Sequence, residues 1–121
     1  MTAAVLARVA PSAIAGSGTF AARAIAAGTE LELGEAVNHS CDPNLWWAGQ
    51  HRFLARREIA AGEELTYDYA TVIADPQFLL RCHCESYRCR QMVTGDDWQI
   101  PQLQRLYDGR WGPDVRERLD S

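Results

Sequence analysis

Asn38-His39-Ser40-Cys41-Asp42-Pro43-Asn44 and Glu64-Leu65-Thr66-Tyr67-Asp68-Tyr69 are the two stretches on which the reading of this chain turns. The first packs polar side chains around a proline turn. The second alternates as a strand does, with Leu65 and the two tyrosines on one face. Taken singly, each has an ordinary reading, as a capped loop and as a half-buried strand. Around them, apolar residues come in short clusters punctuated by glycine: Val5-Leu6-Val9, Phe20, Leu31-Leu33, Trp46-Trp47, Phe53-Leu54 and Leu65-Tyr67. No amphipathic helix fits that spacing, so a mainly β body of short strands is expected up to about Tyr69.

One internal echo supports this. Ile25-Ala26-Ala27-Gly28-Thr29-Glu30-Leu31 recurs as Ile59-Ala60-Ala61-Gly62-Glu63-Glu64-Leu65. Two copies are too few for a helical solenoid, and each reads as strand, tight turn, strand. The isoleucine fills the core, the glycine takes the positive φ of the turn, and the leucine re-enters the sheet. Beyond Cys89 the pattern turns helical. Asp96 or Asp97 is expected to cap a helix, Pro101 suits its first turn, and Leu103, Leu106 and Tyr107 share a face. Gly109 would stop it, and Asp114 to Leu119 suit another short helical turn.

The chain has 121 residues, 47% of them hydrophobic and 23% charged, which fits one small globular unit. No apolar run reaches the roughly 20 residues of a membrane helix. A formal charge of −4 argues against direct nucleic-acid binding and suits a basic ligand or peptide. All twelve cations are arginine; there is no lysine. Arg8 breaks the apolar stretch Ala3 to Ala10, which argues against a secretory signal, and the patterning of the same segment argues against a transit peptide. A soluble, cytoplasmic protein is the expectation.

Cys82, Cys84 and Cys89 form C-x-C-x4-C, with Cys41 alone upstream. Two disulfides or four free thiols are the alternatives to a shared metal. Thiols two residues apart rarely pair with each other but readily share one tetrahedral ion, and one structural zinc is favoured. Arg81, Arg88 and Arg90 stand beside these ligands and could offset their negative charge. His83, between two ligands, is a weak competitor for the metal. Gly16-Ser17-Gly18-Thr19-Phe20 is a glycine-rich turn feeding a strand, where bare backbone can approach a ligand.

The order of these blocks carries more than any one of them. A G-x-G turn, then Asn-His-Ser-Cys-x-Pro-Asn, then Glu-Glu-Leu-Thr-Tyr-Asp-Tyr, then C-x-C-x4-C resembles the SET-domain protein-lysine methyltransferases. The resemblance runs from about Ile14 to Cys89. It implies a β-clip of small sheets with pseudoknot-like threading over residues 1–80. A post-SET zinc element would follow over 81–92, held by Cys41, Cys82, Cys84 and Cys89, then a helical extension over 93–121. It implies S-adenosylmethionine as methyl donor, met by the backbone of Gly16, Gly18 and Phe20, by Asn38, and by the main chain of His39. Residues just after Cys89, Met92 among them, would cover the adenine. Tyr69 would be the catalytic tyrosine. Tyr67 would hold a water that crowds a methylated nitrogen, giving mainly monomethyllysine, unless it simply packs in the core.

The chain also departs from the family. Only Ala36 and Val37 separate Gly34-Glu35 from Asn38, where the family inserts a helix-containing segment that walls the peptide groove. Its absence would expose apolar surface that a homodimer or a partner could cover. The readings that stand are transfer of a methyl group to a lysine-containing protein or peptide, a degenerate SET module serving as a zinc- and cofactor-binding scaffold, and methylation of a small amine. Trp46 and Trp47 are expected mainly in the core, with one a candidate wall of the lysine channel.

Overall fold

The computed structural model describes residues 6–121. Residues 1–5, which include Val5 and the first part of the Ala3 to Ala10 stretch, lie outside the described residues.

Among the described residues, nine short strands form three small sheets: β1 (Ala7–Pro11), β2 (Ser17–Ala21), β3 (Glu30–Glu32), β4 (Asn38–His39), β5 (Leu45–Gly49), β6 (Arg52–Ala55), β7 (Glu64–Tyr67), β8 (Leu79–Arg81) and β9 (Met92–Thr94). The sheet orders are β1-β2-β7-β4, β3-β6-β5 and β8-β9. Two helices close the chain, α1 (Pro101–Leu106) and α2 (Pro113–Leu119). The fold is therefore mainly β, in small sheets, with a short helical C-terminal region.

The repeated Ile-Ala-Ala-Gly segment explains much of the body. The two isoleucines pair with each other in an antiparallel bridge, each amide donating to the other's carbonyl at 2.8 Å. Both are buried. Gly28 and Gly62 follow at φ +84° and +87°, the left-handed region that a side chain resists. Leu31 in β3 and Leu65 in β7 then return to the same core, with Leu6, Ala21, Leu45 and Phe53.

β7 is the centre of the first sheet. β2 pairs with it antiparallel (Thr19 opposite Leu65), and β4 pairs with it in parallel (Asn38 opposite Thr66, His39 opposite Tyr67). Because β4 is only two residues long, the side chain of Asn44 extends the pairing. Its Nδ2 donates to the Glu64 carbonyl at 2.8 Å, and its Oδ1 accepts from the Thr66 amide at 2.9 Å. Asn44 is buried, so both bonds are shielded from water.

A second apolar cluster joins the segment after Tyr69 to the helices: Ala70 and Ala74 pack with Leu103, Tyr107, Trp111 and Val115. The helical end is thus seated on the residues that follow the tyrosine strand. Its start differs from expectation. Asp97 opens a 3-10 helix (Asp97–Gln99), and α1 begins after Ile100 without a side-chain cap. Asp97 is diverted because its carboxylate accepts from Thr94 Oγ1 and Arg90 Nε, both at 3.0 Å.

Leu33 and Val37, which flank the short Gly34–Val37 connection, are buried. The missing insert therefore exposes no apolar surface at these two residues. Among the described residues, no helix is long and apolar enough to cross a membrane.

Candidate active site

The parallel β4–β7 pair sets Asn38 and His39 beside Tyr67, and the chain then turns into a 3-10 helix (Tyr69–Thr71). Tyr69 is held at both ends. Its amide donates to His39 Nδ1 at 3.0 Å, and its hydroxyl donates to the Val37 carbonyl at 2.8 Å. Its ring lies 4.9 Å from Tyr67, 5.2 Å from His39 and 6.5 Å from Phe78, centroid to centroid. Tyr67 in turn packs on Phe53 at 5.1 Å and belongs to the edge of the first core.

Asn38 ties this strand to the glycine turn. Its Nδ2 lies within 3.2 Å of Ser12 Oγ, the carbonyls of Ala15 and Ser17, and Glu64 Oε2. Ser12 Oγ donates to the same Glu64 carboxylate at 2.7 Å. A Cβ on Gly18 would run into that carboxylate, so glycine there is a requirement of close approach. Asn38's amide nitrogen is therefore spent on protein, which leaves Oδ1 without a protein partner among the described hydrogen bonds.

These residues border a cavity of about 160 Å³ lined by Ile14, Ala15, Asn38, His39, Tyr69 and the 80–83 segment. Of the residues expected to meet a donor, Asn38 and His39 line it. Gly16 and Gly18 shape the turn that carries Ile14 and Ala15, without lining the cavity. Phe20 lies to one side under the Arg8 guanidinium, 5.9 Å away. Met92 is exposed on β9 opposite Arg81. A larger cleft of about 520 Å³ also touches Cys41, but α1 residues and Arg88 form it and no tyrosine or asparagine enters.

Cys41, Cys82, Cys84 and Cys89 bring their sulfurs within 4.8 Å of one another. Cys41 and Cys82 lie 3.8 Å apart, the spacing of about 3.8 Å that a tetrahedral ion with 2.3 Å metal–sulfur bonds imposes. Burial pushes the Cys41 thiol upward, and Cys82 is pushed up to about 11, again mainly by burial. A bound cation would reverse that bias by stabilising the thiolates. The Arg90 amide already donates to Cys41 Sγ at 3.3 Å, and His39 Nε2 lies 3.3 Å from the same sulfur. The donor set fits a metal. His83 stays outside the cluster and is exposed.

Of the three arginines beside the cysteines, Arg90 does something other than balance charge. Its guanidinium grips Asp68 through two bonds of 2.9 Å and reaches Asp97 through Nε. Burial works against its charge, but the hydrogen bonds and charge of Asp68, together with the charges of Cys41 and Asp97, outweigh that and hold it protonated. Asp68 also accepts from the Ala70 amide and from the Tyr107 hydroxyl. Composition and spacing gave no sign of this hub, since its members are scattered along the chain. His39 is buried, and that burial draws its imidazole down to about 4. A neutral ring accepts the Tyr69 amide at Nδ1 and so carries its proton on Nε2, toward the Cys41 sulfur. The two tryptophans divide between clusters, Trp47 at the first and Trp46 at the second, and neither lines the cavity.

The family model that matches is the SET domain, over residues 32–70. That range holds Asn38, His39, Cys41, Tyr67 and Tyr69. Over those residues the chain is similar to the SET domain. Human histone-lysine N-methyltransferase 2B is 42% identical to it over 65 residues, 48% of this chain and 2% of that protein. Histone-lysine N-methyltransferase ASHH2 of Arabidopsis thaliana is 33% identical over 110 residues, 75% of this chain and 6% of that one. The chain thus spans a small part of the length of these relatives. The crystal structure of KRYPTONITE in complex with mCHG DNA and SAH superposes on it with a TM-score of 0.57 at 23% identity, covering 71% of this chain and 28% of that one, a likeness of fold. The four-cysteine cluster stands where the SET resemblance puts its post-SET metal element. The relatives correct one expectation. Enzymes named for histone lysines act on nuclear targets, which argues against a purely cytoplasmic location. Composition had nothing to say about compartment, because it reported only the lack of a recognisable address.

Proposed function

We propose that this SET domain transfers a methyl group from S-adenosylmethionine to the ε-amine of a protein lysine, mainly once per lysine. The observation that carries the reading is the meeting of Tyr69 with Asn38 and His39 at one cavity flanked by the four cysteines. The relatives' names make histone lysines the first substrates to test, and the net charge of −4 suits a basic peptide.

The donor, when bound, supplies an electrophilic methyl on a sulfonium. The neutral amine nitrogen would bond to that carbon as the carbon–sulfur bond breaks and its electron pair stays on sulfur, and the resulting methylammonium would release its extra proton to water. The enzyme's part is alignment and electrostatics. Asn38, through Oδ1 and its main chain, and the main chain of His39 would hold the donor, and the turn shaped by Gly16 and Gly18 would present Ala15 to it. Tyr69 spends its proton on the Val37 carbonyl, so its oxygen offers lone pairs to a developing positive charge. Lysine must arrive neutral, at a cost of about 4–5 kcal/mol at pH 7 for a pKa near 10.4. The aromatic walls of Tyr67, Tyr69 and Phe78 reduce that cost by excluding water. One zinc in the cysteine cluster pins the 82–89 loop against Cys41. On this reading the body to residue 80, the metal element 81–92 and the helical segment 93–121 act together.

Incubation with labelled donor and histones or a lysate, followed by mass spectrometry, tests the proposal. Methyl-lysine is expected from the wild type. Tyr69→Phe should cut the rate by about 10²–10³-fold. Donor binding without transfer would favour a scaffold, and label confined to small molecules a small-amine substrate; the short 34–38 connection, with no groove wall, keeps both in view.

A further inference from the structure

We infer that Tyr107, the residue following α1, is a positioning residue for methyl transfer that acts through Asp68 on Tyr69; the inference rests on the methyltransferase reading above. The side chain of Asp68 is fully buried, and its two oxygens are shared among three donors. Oδ1 accepts from the Ala70 amide and Arg90 Nη2, both at 2.9 Å. Oδ2 accepts from Arg90 Nη1 at 2.9 Å and from the Tyr107 hydroxyl at 3.0 Å. Through the Ala70 bond, Asp68 caps the 3-10 helix whose first residue is Tyr69. The orientation of this carboxylate therefore sets the backbone from which the Tyr69 phenol projects.

Tyr107 is itself immobilised. It is buried, with its ring edge-on to Trp46 at 5.8 Å and to Trp111 at 5.7 Å. Phenylalanine would fill the same space against the same neighbours, so the hydroxyl's role is its bond to Asp68. Arg90 is braced from the far side by Asp97. Without the Tyr107 hydroxyl, Oδ2 keeps a single charged donor, and the carboxylate's orientation rests on Arg90 and the Ala70 amide alone. In-line displacement responds steeply to such shifts.

The test compares Tyr107→Phe with Val115→Ala, which thins the same apolar cluster without touching Asp68. Tyr107→Phe is expected to lower kcat about tenfold, short of the ~10²-fold that a misplacement of about 1 Å costs, with the KM for the donor unchanged. Hydrogen exchange at the Tyr69 and Ala70 amides should accelerate. Val115→Ala is expected to lower Tm while kcat per folded molecule holds. A kcat for Tyr107→Phe within twofold of wild type, or a fall matched by Val115→Ala, overturns the inference. If the wild type methylates nothing, the functional reading falls by itself, and the exchange rates decide. Amides at Tyr69 and Ala70 that ignore Tyr107→Phe then overturn the positioning role.

Discussion

The amide of Tyr69 donates to Nδ1 of His39 at 3.0 Å, and this bond joins the tyrosine of the site to the strand that begins the cysteine motif. The other ring nitrogen lies 3.3 Å from Cys41 Sγ, so one imidazole spans from the metal cluster to the tyrosine backbone. His39→Ala removes both contacts and leaves a void in a buried position. A loss of about 2–4 kcal/mol in urea unfolding is expected. A loss below about 1 kcal/mol would mean that the ring carries little.

The cysteine cluster makes a second prediction. Metal analysis should find one zinc per chain. Chelation, or Cys84→Ser, should cost at least ~3 kcal/mol and lower Tm by about 10 °C or more. Methyl transfer should fall in parallel, because the Arg90 that grips Asp68 follows directly after Cys89. A chain whose melting curve ignores chelators would exclude the metal.

Product state is expected to depend on Tyr67. Its hydroxyl has no protein partner among the described hydrogen bonds, while its ring is fixed against Phe53 and Tyr69. Tyr67→Phe keeps the ring and removes the polar group. Di- and trimethyllysine should then appear where the wild type stops at one methyl. Identical product spectra for the two proteins would assign Tyr67 to packing.

The pH dependence follows from burial. Burial pushes the Tyr67 phenol up to about 12 and moves Tyr69 upward as well. Both phenols stay protonated while a lysine amine with a pKa of about 10.4 loses its proton. The initial rate should therefore climb between about pH 7 and pH 10, by up to roughly tenfold per unit at the lower end. A flat profile would contradict this. Stability runs the opposite way. Unfolded phenols ionise at about pH 10 while the buried ones do not, so the folded state holds more protons and loses stability as pH rises beyond that point. Melting temperatures measured on either side of about pH 10 should fall with pH, and less so in Tyr67→Phe.

Much of this was legible in the chain, and the exceptions have a common cause. The Ile-Ala-Ala-Gly echo predicted its own turns because a glycine at positive φ is a local demand, met within a few residues. The motifs around Asn38 and Tyr69 were legible for a similar reason, being contiguous runs. Asp68, Arg90 and Tyr107 were not, since each reads as an ordinary strand, loop or helix residue until the fold brings them together. Asp97 misled for the same reason: its spacing suited a cap, but Arg90 and Thr94 compete for the carboxylate. Asn44 looked like part of a turn, and its bonds to β7 appear only with the sheet. Asn44→Ala strands two buried backbone groups and should cost about 2–4 kcal/mol by chemical denaturation.

β7 lies inside its sheet, with β2 on one flank and β4 on the other, both drawn from far earlier in the chain. Pairings across such spans close late during folding, because loop entropy opposes them until the ends have met. Tyr67 and Tyr69 thus gain their neighbours near the end of the process. On the methyltransferase reading, a nascent or partly melted chain would offer no half-built pocket to trap a methyl donor, and donor binding would double as a readout of completed folding.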